Sequence, residues 1–309
     1  MPEPMSNPRL LAFDVGGSRL KSGIVSLHDD AIDSARVEDI AGYAVDDVLR
    51  AVARVGHEVF EETPCRGVGL CAPGLIDDEG KWISLPGKIE GAAGHDLVRW
   101  LTHEFTLPSV VVNDAVAHGV GEACAGAGRN RERVVVMTIG TGIGVSVVQD
   151  GAPLTTGTLG GGTMGGHIPI SEKDDGYLDS NGRPDTIEAL CCARRIVDYA
   201  NEYGEPAASV PDVYDAHARG SDAARRGIDR YRNHLARGLV ALAHAHAPDL
   251  IVIGGGAMTP DNPVMDGLES LVNERLFGSY SVEITVARLG ELAALCGLAH
   301  IFRQRHASE

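Results

Sequence analysis

The chain has 309 residues, a formal net charge of −16, 44% hydrophobic residues and 5% aromatics. That length bounds it to two domains or one large one. The charge argues against nonspecific nucleic-acid binding, which needs surplus Lys and Arg to meet phosphates, and reads as solubility; no apolar run approaches a membrane span. Met1-Pro2-Glu3-Pro4 lacks the basic-then-apolar form of a signal peptide. The six cysteines (Cys65, Cys71, Cys124, Cys191, Cys192, Cys296) form no C-x-x-C pair. They read as small buried residues in a reducing cytoplasm.

The first elements are strands over Leu10–Val15 and Gly23–Leu27, joined by the turn Gly16-Gly17-Ser18-Arg19. Val45, Val48, Leu49, Val52, Val55 and Val59 recur at helical spacing, predicting a helix over 45–60. Val68–Cys71 is a buried strand ending at the turn Ala72-Pro73-Gly74. Leu97, Val98, Trp100, Leu101 and Phe105 mark a helix, and Val110–Val112 a strand that stops at Asn113-Asp114. A second alternation opens at Arg133–Val136 and passes through a second glycine turn, Gly140-Thr141-Gly142, into the strand Val145–Val148. The glycine-dense stretch Gly157–Gly166 must be irregular. The longest helix is predicted over Asp222–Ala247 and stops at Pro248; Leu250–Ile253 then runs into Gly254-Gly255-Gly256. A strand over Val282–Leu289 and a helix over Leu292–Arg303 close the chain. The alternation implies an α/β protein with parallel sheet, built as two related halves with a cleft between them.

Both glycine turns have the form strand, turn, strand. Glycine there permits φ > 0 and close backbone approach to a ligand, and the exposed N–H groups suit phosphate. One such turn is an ordinary β-hairpin; two, the first headed by an acid, are harder to dismiss. Ligands in α/β proteins bind where the carboxyl ends of strands face a crevice. Asp14, Asn113-Asp114, Gly140-Thr141-Gly142 and Gly254–Gly256 all fall at such ends. A Walker P-loop is excluded, because no G-K-[ST] opens a helix.

These residues bring the chain to a known family. It resembles the ROK (repressor, open reading frame, kinase) sugar kinases of the actin/hexokinase/Hsp70-like superfamily, from Leu11 to about Cys296. The matching parts, in order, are Asp14–Ser18, Ala72-Pro73-Gly74, Leu85-Pro86-Gly87, Val112-Asn113-Asp114, Gly140–Gly144, Gly166-His167 and Ile253–Gly256. The resemblance implies two ribonuclease-H-like domains with an interdomain cleft: residues 1–115 plus a C-terminal helix at 291–309, and residues 116–290. It implies ATP and Mg²⁺ as cofactors, with Asp14 orienting the metal through water. Gly16, Gly17, Ser18, Gly140, Thr141 and Gly142 then face phosphate, and Gly254, Gly255 and Gly256 the adenosine. Asp114 becomes the general base that takes the proton of the attacking hydroxyl. Gly74, Asn113, His167 and Glu188 become sugar contacts. The bland alternatives are a turn-satisfying acid for Asp14, a helix cap for Asn113-Asp114, a structural His167 and a surface helix acid for Glu188.

The departures are informative. Where the family usually writes Glu-x-Gly-His, this chain has Met164-Gly165-Gly166-His167, and no acid lies between Asp150 and His167. Many members then carry C-x-C-G-x-x-G-C-x-E. Aligning Glu188 with that final Glu places Asp179, Asn181 and Thr186 where the cysteines stand. Asn and Thr are poor substitutes for thiolates, so no zinc is expected. The function expected is ATP-dependent phosphorylation of a hexose, amino sugar or cyclitol-like polyol. A non-catalytic sugar-binding or regulatory descendant is the alternative. A repressor is disfavoured, since thirteen residues precede Asp14 and three helices need more. The resemblance also implies a cytoplasmic homo-oligomer, dimer or tetramer, with no nucleic-acid or membrane partner.

Overall fold

Leu11-Ala12-Phe13 has no polar residue to turn toward water, and in the computed structural model it lies fully buried at the centre of a sheet. The structure describes residues 7–84, 89–155, 162–173, 175–259 and 261–306. In chain order the elements are β1 (Arg9–Val15), β2 (Arg19–Ser26), β3 (Ile32–Asp39), α1 (Val45–Glu62), β4 (Gly67–Ala72), β5 (Leu75–Ile76), β6 (Trp82–Ser84), α2 (Leu97–Phe105), β7 (Ser109–Asn113) and α3 (Asp114–Cys124). There follow β8 (Arg133–Ile139), β9 (Ile143–Gln149), β10 (Ala152–Pro153), α4 (Ile187–Cys191), α5 (Arg194–Glu202), α6 (Val210–Ala218), α7 (Asp222–His246), β11 (Leu250–Gly254), α8 (Leu268–Asn273), β12 (Glu283–Val286) and α9 (Ala293–His306). The chain divides into two units, one of Met1–Arg129, Gly151–Thr163 and Glu291–Glu309, the other of Asn130–Asp150 and Met164–Gly290.

In the first unit the sheet runs β3-β2-β1-β4-β7. β1 pairs antiparallel with β2 and parallel with β4, and β4 pairs parallel with β7. In the second unit the order β9-β8-β11-β12 repeats the last four positions with the same senses: antiparallel β9-β8, then two parallel pairs. This is the duplicated α/β architecture that the sequence implies. Parallel strands shielded on both faces need continuous apolar runs, which is why β4 is buried at every position.

Helix α7 carries the largest apolar face of the second unit: Ile228, Tyr231, Leu235, Leu239 and Leu242 are all fully buried. Each such side chain contributes about 1.5–3 kcal/mol on burial. Ser221 caps its start by accepting the Ala224 amide, and its end is Ala247 in the left-handed region, just before Pro248.

Several expectations need correction. The boundary expected after residue 115 falls inside the first turn of α3, a helix that stays whole in the first unit. Backbone proximity explains why. A Cβ on Gly121 would lie 1.9 Å from the Ala293 carbonyl oxygen, and one on Gly297 only 1.8 Å from that of Ala117. Helices α3 and α9 therefore pack backbone to backbone, through glycine rather than through a leucine stripe. That composition also hid α3 from a periodicity search. The last strand is shorter than predicted, Glu283–Val286 rather than 282–289. The last helix begins at Ala293 and runs on to His306. Helix α6 was legible but missed: Ser209 and Asp212 form a capping box with Pro211 between them. β3 is exposed along most of its length and offers no alternating pattern. The motif Leu85-Pro86-Gly87 and residues 157–161 of the glycine-dense stretch lie outside the described residues.

Candidate functional site

The β1–β2 register sets Asp14 opposite Lys21. Lys21 Nζ donates to Asp14 Oδ2 at 3.2 Å, and Cys71 Sγ, from β4, donates to Oδ1 at 3.4 Å. His118 Nε2 lies 3.7 Å from Oδ2. Burial pushes the Asp14 carboxyl up, but His118 and Lys21 outweigh it and hold the group below its ordinary value. Asp14 is thus a buried anion in a cationic setting. Neither Lys21 nor His118 emerged from the sequence. The hairpin register could have given Lys21, and the four-residue step from Asp114 could have given His118.

Asn113 is the N-cap of α3. Its Oδ1 accepts the Ala115 amide at 2.9 Å, while Nδ2 donates to the Gly74 carbonyl at 2.8 Å. Gly74 adopts φ 90°, a conformation that favours glycine and aims that carbonyl at Asn113. The capping role is therefore real, and it holds Asp114 at the helix start, where Oδ1 lies 2.8 Å from the Ala115 amide. Cys71 connects the two acids: burial first, then the Asp14 and Asp114 charges, drive its thiol well above the ordinary range. It stays a protonated donor.

In the two glycine turns space rather than dihedral angle confines Gly142 and, less tightly, Gly16, whose added Cβ would lie 3.1 Å from the Arg19 carbonyl oxygen, while Gly140 has nothing nearer than 4.0 Å. Gly16, Gly17, Gly140 and Gly142 are absent from the positive-φ residues, contrary to the expectation for both turns. Gly16 donates its amide to the Arg19 carbonyl at 2.8 Å, leaving Gly17 and Ser18 exposed. In the second turn Gly140 donates to the Gly142 carbonyl at 2.9 Å, and Thr141 is exposed. Gly142 is confined by Glu188, whose Oε2 would lie 2.6 Å from an added Cβ. Gly255 alone of its trio has positive φ (109°), and a Cβ there would strike the Ile139 carbonyl oxygen at 2.0 Å. Gly256 faces open space.

Glu188 is no surface acid, as one reading of the sequence allowed. It is 7% exposed; Oε2 accepts the Ile143 amide at 2.9 Å and Oε1 the Ser180 amide at 2.7 Å. It ties the glycine turn of the second unit to the loop before α4.

His167 ends a 3-10 turn, Gly165–His167, that lies against β9. A Cβ on Gly165 would meet Val145 at 2.8 Å, and one on Gly166 the Ile143 carbonyl oxygen at 2.6 Å. His167 Nδ1 lies 2.8 Å from Asp179 Oδ2, and the ring is 32% exposed. The same Oδ2 accepts the Thr186 hydroxyl at 3.2 Å, and Oδ1 accepts the amides of Asn181 and Arg183 at 2.9 Å each. Burial pushes the Asp179 carboxyl up, while these hydrogen bonds and the His167 ring bring it below the ordinary value. Met164, 40% exposed, accepts the His167 amide through its carbonyl.

Metal fit differs between the two units. In the first unit Asp14 stays ionised beside Lys21 and His118, and one carboxylate is enough for Mg²⁺, which keeps most of its waters. The set His167, Asp179, Asn181 and Thr186 lacks thiolates, and its one carboxylate is fully engaged by protein donors. That chemistry does not fit structural zinc. Among the described residues no group of three or more His, Cys, Asp and Glu is placed to hold a metal ion, and no helix is long and apolar enough to cross a membrane.

The model of the ROK family matches residues 10–305. The chain is 27% identical over 317 residues to the glucokinase of Thermotoga maritima, covering 97% of this chain and 99% of that one. It is also 27% identical over 301 residues to a beta-glucoside kinase of Listeria innocua, covering 96% and 98%. Among solved structures, a ROK family glucokinase from Streptomyces griseus, determined with glucose and AMPPNP, has a TM-score of 0.81 at 24% identity, covering 96% of this chain and 99% of that chain. The ROK hexokinase from Thermus thermophilus has a TM-score of 0.81 at 24% identity, covering 94% and 97%.

Proposed function

We propose that this chain, which belongs to the ROK family, is a sugar kinase that moves the γ-phosphoryl group of ATP to a hydroxyl of a sugar or cyclitol-like polyol. The kinase class follows from the named kinases that it resembles over nearly its whole length. The main structural support is that Asp14, near the carboxyl end of β1, and Asp114, directly after β7, lie at the ends of strands that flank β4 in one sheet, with Cys71 of β4 donating to Asp14. In phosphoryl transfer the protein supplies position and charge more than covalent chemistry. Asp114, fixed at the start of α3 by the Asn113 cap, takes the proton of the attacking hydroxyl. Asp14 would hold Mg²⁺, through water, where the ion would neutralise charge on the phosphates. In the first unit, the Gly16–Ser18 turn presents backbone to phosphate. In the second, the Gly140–Gly142 turn does the same, Gly254–Gly256 takes the adenosine side, and His167 contacts the sugar. Glu188 acts on the sugar side by bracing loops, since both its oxygens already accept amides. No zinc is needed.

Glucose is not the best substrate on this reading. Met164 stands where the family Glu would accept a sugar hydroxyl, and it offers a flexible thioether instead. A desolvated hydroxyl left without its partner costs about 1–3 kcal/mol. A modified sugar or a cyclitol, lacking that hydroxyl or bearing an apolar group, loses less.

The test is turnover with Mg²⁺-ATP over a panel of sugars and cyclitols, repeated on Asp114→Asn. Loss of the base should lower kcat about 10²- to 10⁴-fold, with sugar affinity by calorimetry largely kept. Absence of sugar-dependent ADP release from a wild-type protein that binds ATP would favour a non-catalytic sugar-binding protein.

A further inference from the structure

We infer that Asp179 is a positioning residue that fixes the tautomer of His167, so that the imidazole offers Nε2 to the substrate as a hydrogen-bond acceptor. The Asp179 side chain is fully buried and receives four donors: the Asn181 and Arg183 amides on Oδ1, and the Thr186 hydroxyl and His167 Nδ1 on Oδ2. A carboxylate so placed can only accept. Nδ1 at 2.8 Å must therefore carry the proton, and in a neutral ring the other nitrogen is left with a lone pair. Any cation in place of Asp179 Oδ2 would do the reverse, taking the Nδ1 lone pair and leaving the proton on Nε2. The charge on this one buried group thus decides whether His167 reads a ligand donor or a ligand acceptor. Thr186, as N-cap of α4, anchors the arrangement by donating to Asp179 while accepting the Ala189 amide at 3.1 Å.

The tautomer stands on the geometry alone. That the acceptor faces a substrate hydroxyl rests on the kinase reading above, so the two are measured separately. Long-range ¹H–¹⁵N correlation on the ¹⁵N-histidine-labelled full chain at mildly alkaline pH reads both ring nitrogens, with His167→Gln identifying the signal. Wild type should show Nδ1 protonated and Nε2 bare. Asp179→Asn keeps an oxygen for the Asn181 and Arg183 amides but turns an NH₂ toward His167, and should move the proton to Nε2. An Nε2–H tautomer or a persistent imidazolium in the wild type overturns the inference, and no variant of Asp179 need fold for that result. In turnover, Asp179→Asn should raise the sugar KM about tenfold with a smaller change in kcat. Equal KM in the two proteins, with the tautomer flipped, would overturn the substrate-facing part and leave the kinase reading intact.

Discussion

Glu188 Oε2 accepts the Ile143 amide at 2.9 Å and occupies the space where a side chain on Gly142 would begin. The second glycine turn is therefore shaped by an acid forty-six positions downstream. Gly142→Ala should push Glu188 off that amide and leave a buried donor unmade, lowering stability by about 1–3 kcal/mol in urea unfolding. Gly140→Ala is the control, because its nearest neighbour is 4.0 Å away. Equal stability of the two variants would show that Glu188 does not set the turn.

Gly297→Ala places a methyl 1.8 Å from the Ala117 carbonyl oxygen. Helices α3 and α9 would have to separate, at a cost of about 1–3 kcal/mol for overpacking. Because α3 carries both Asp114 and His118, sugar phosphorylation should fall more than thermal stability alone predicts at a temperature where the variant stays folded. Full activity in a destabilised variant would mean that α3 tolerates displacement.

His234 supplies a pH signature. Burial, then the neighbouring Arg237 and Arg230, lowers its folded pKa from 6.5 to about 4. Between those values the unfolded chain holds a proton that the folded chain does not, so stability falls as pH drops from 6.5 toward 4 and that contribution then levels off. His234→Phe, which keeps a ring beside Tyr199, should flatten that slope in urea midpoints measured across the window. An unchanged slope would place the histidine's titration elsewhere.

Met164→Glu restores an acceptor at the position preceding the Gly165–His167 turn. Relative kcat/KM should shift toward glucose and away from deoxy, substituted or carbocyclic substrates, by about tenfold for one regained hydrogen bond. A wild-type enzyme that already prefers glucose over the whole panel defeats this prediction before the variant is made.

What the sequence determined by itself was local. The short apolar runs at Leu10–Phe13, Val68–Cys71 and Leu250–Ile253, each soon followed by a glycine turn, read as buried strands, and the periodic spacing along α1 and α7 names their inner faces; both lie in the order of residues. The ordered motifs from Asp14 to Gly256 likewise sufficed for the family. Tertiary structure decided what those motifs touch. Lys21 and His118 reach Asp14 only through a hairpin register and a helix placement. Gly142 needs its glycine because Glu188 arrives there, and Asp179 becomes a partner of His167 only after the loop before α4 folds back on the turn at 165–167. Helix α3 is held by glycine-to-backbone contact with α9, far along the chain. Hydrogen bonds and close backbone approach depend on three-dimensional distance, so beyond a hairpin register or a helical step, which point to Lys21 and His118, no pattern in the sequence announces them.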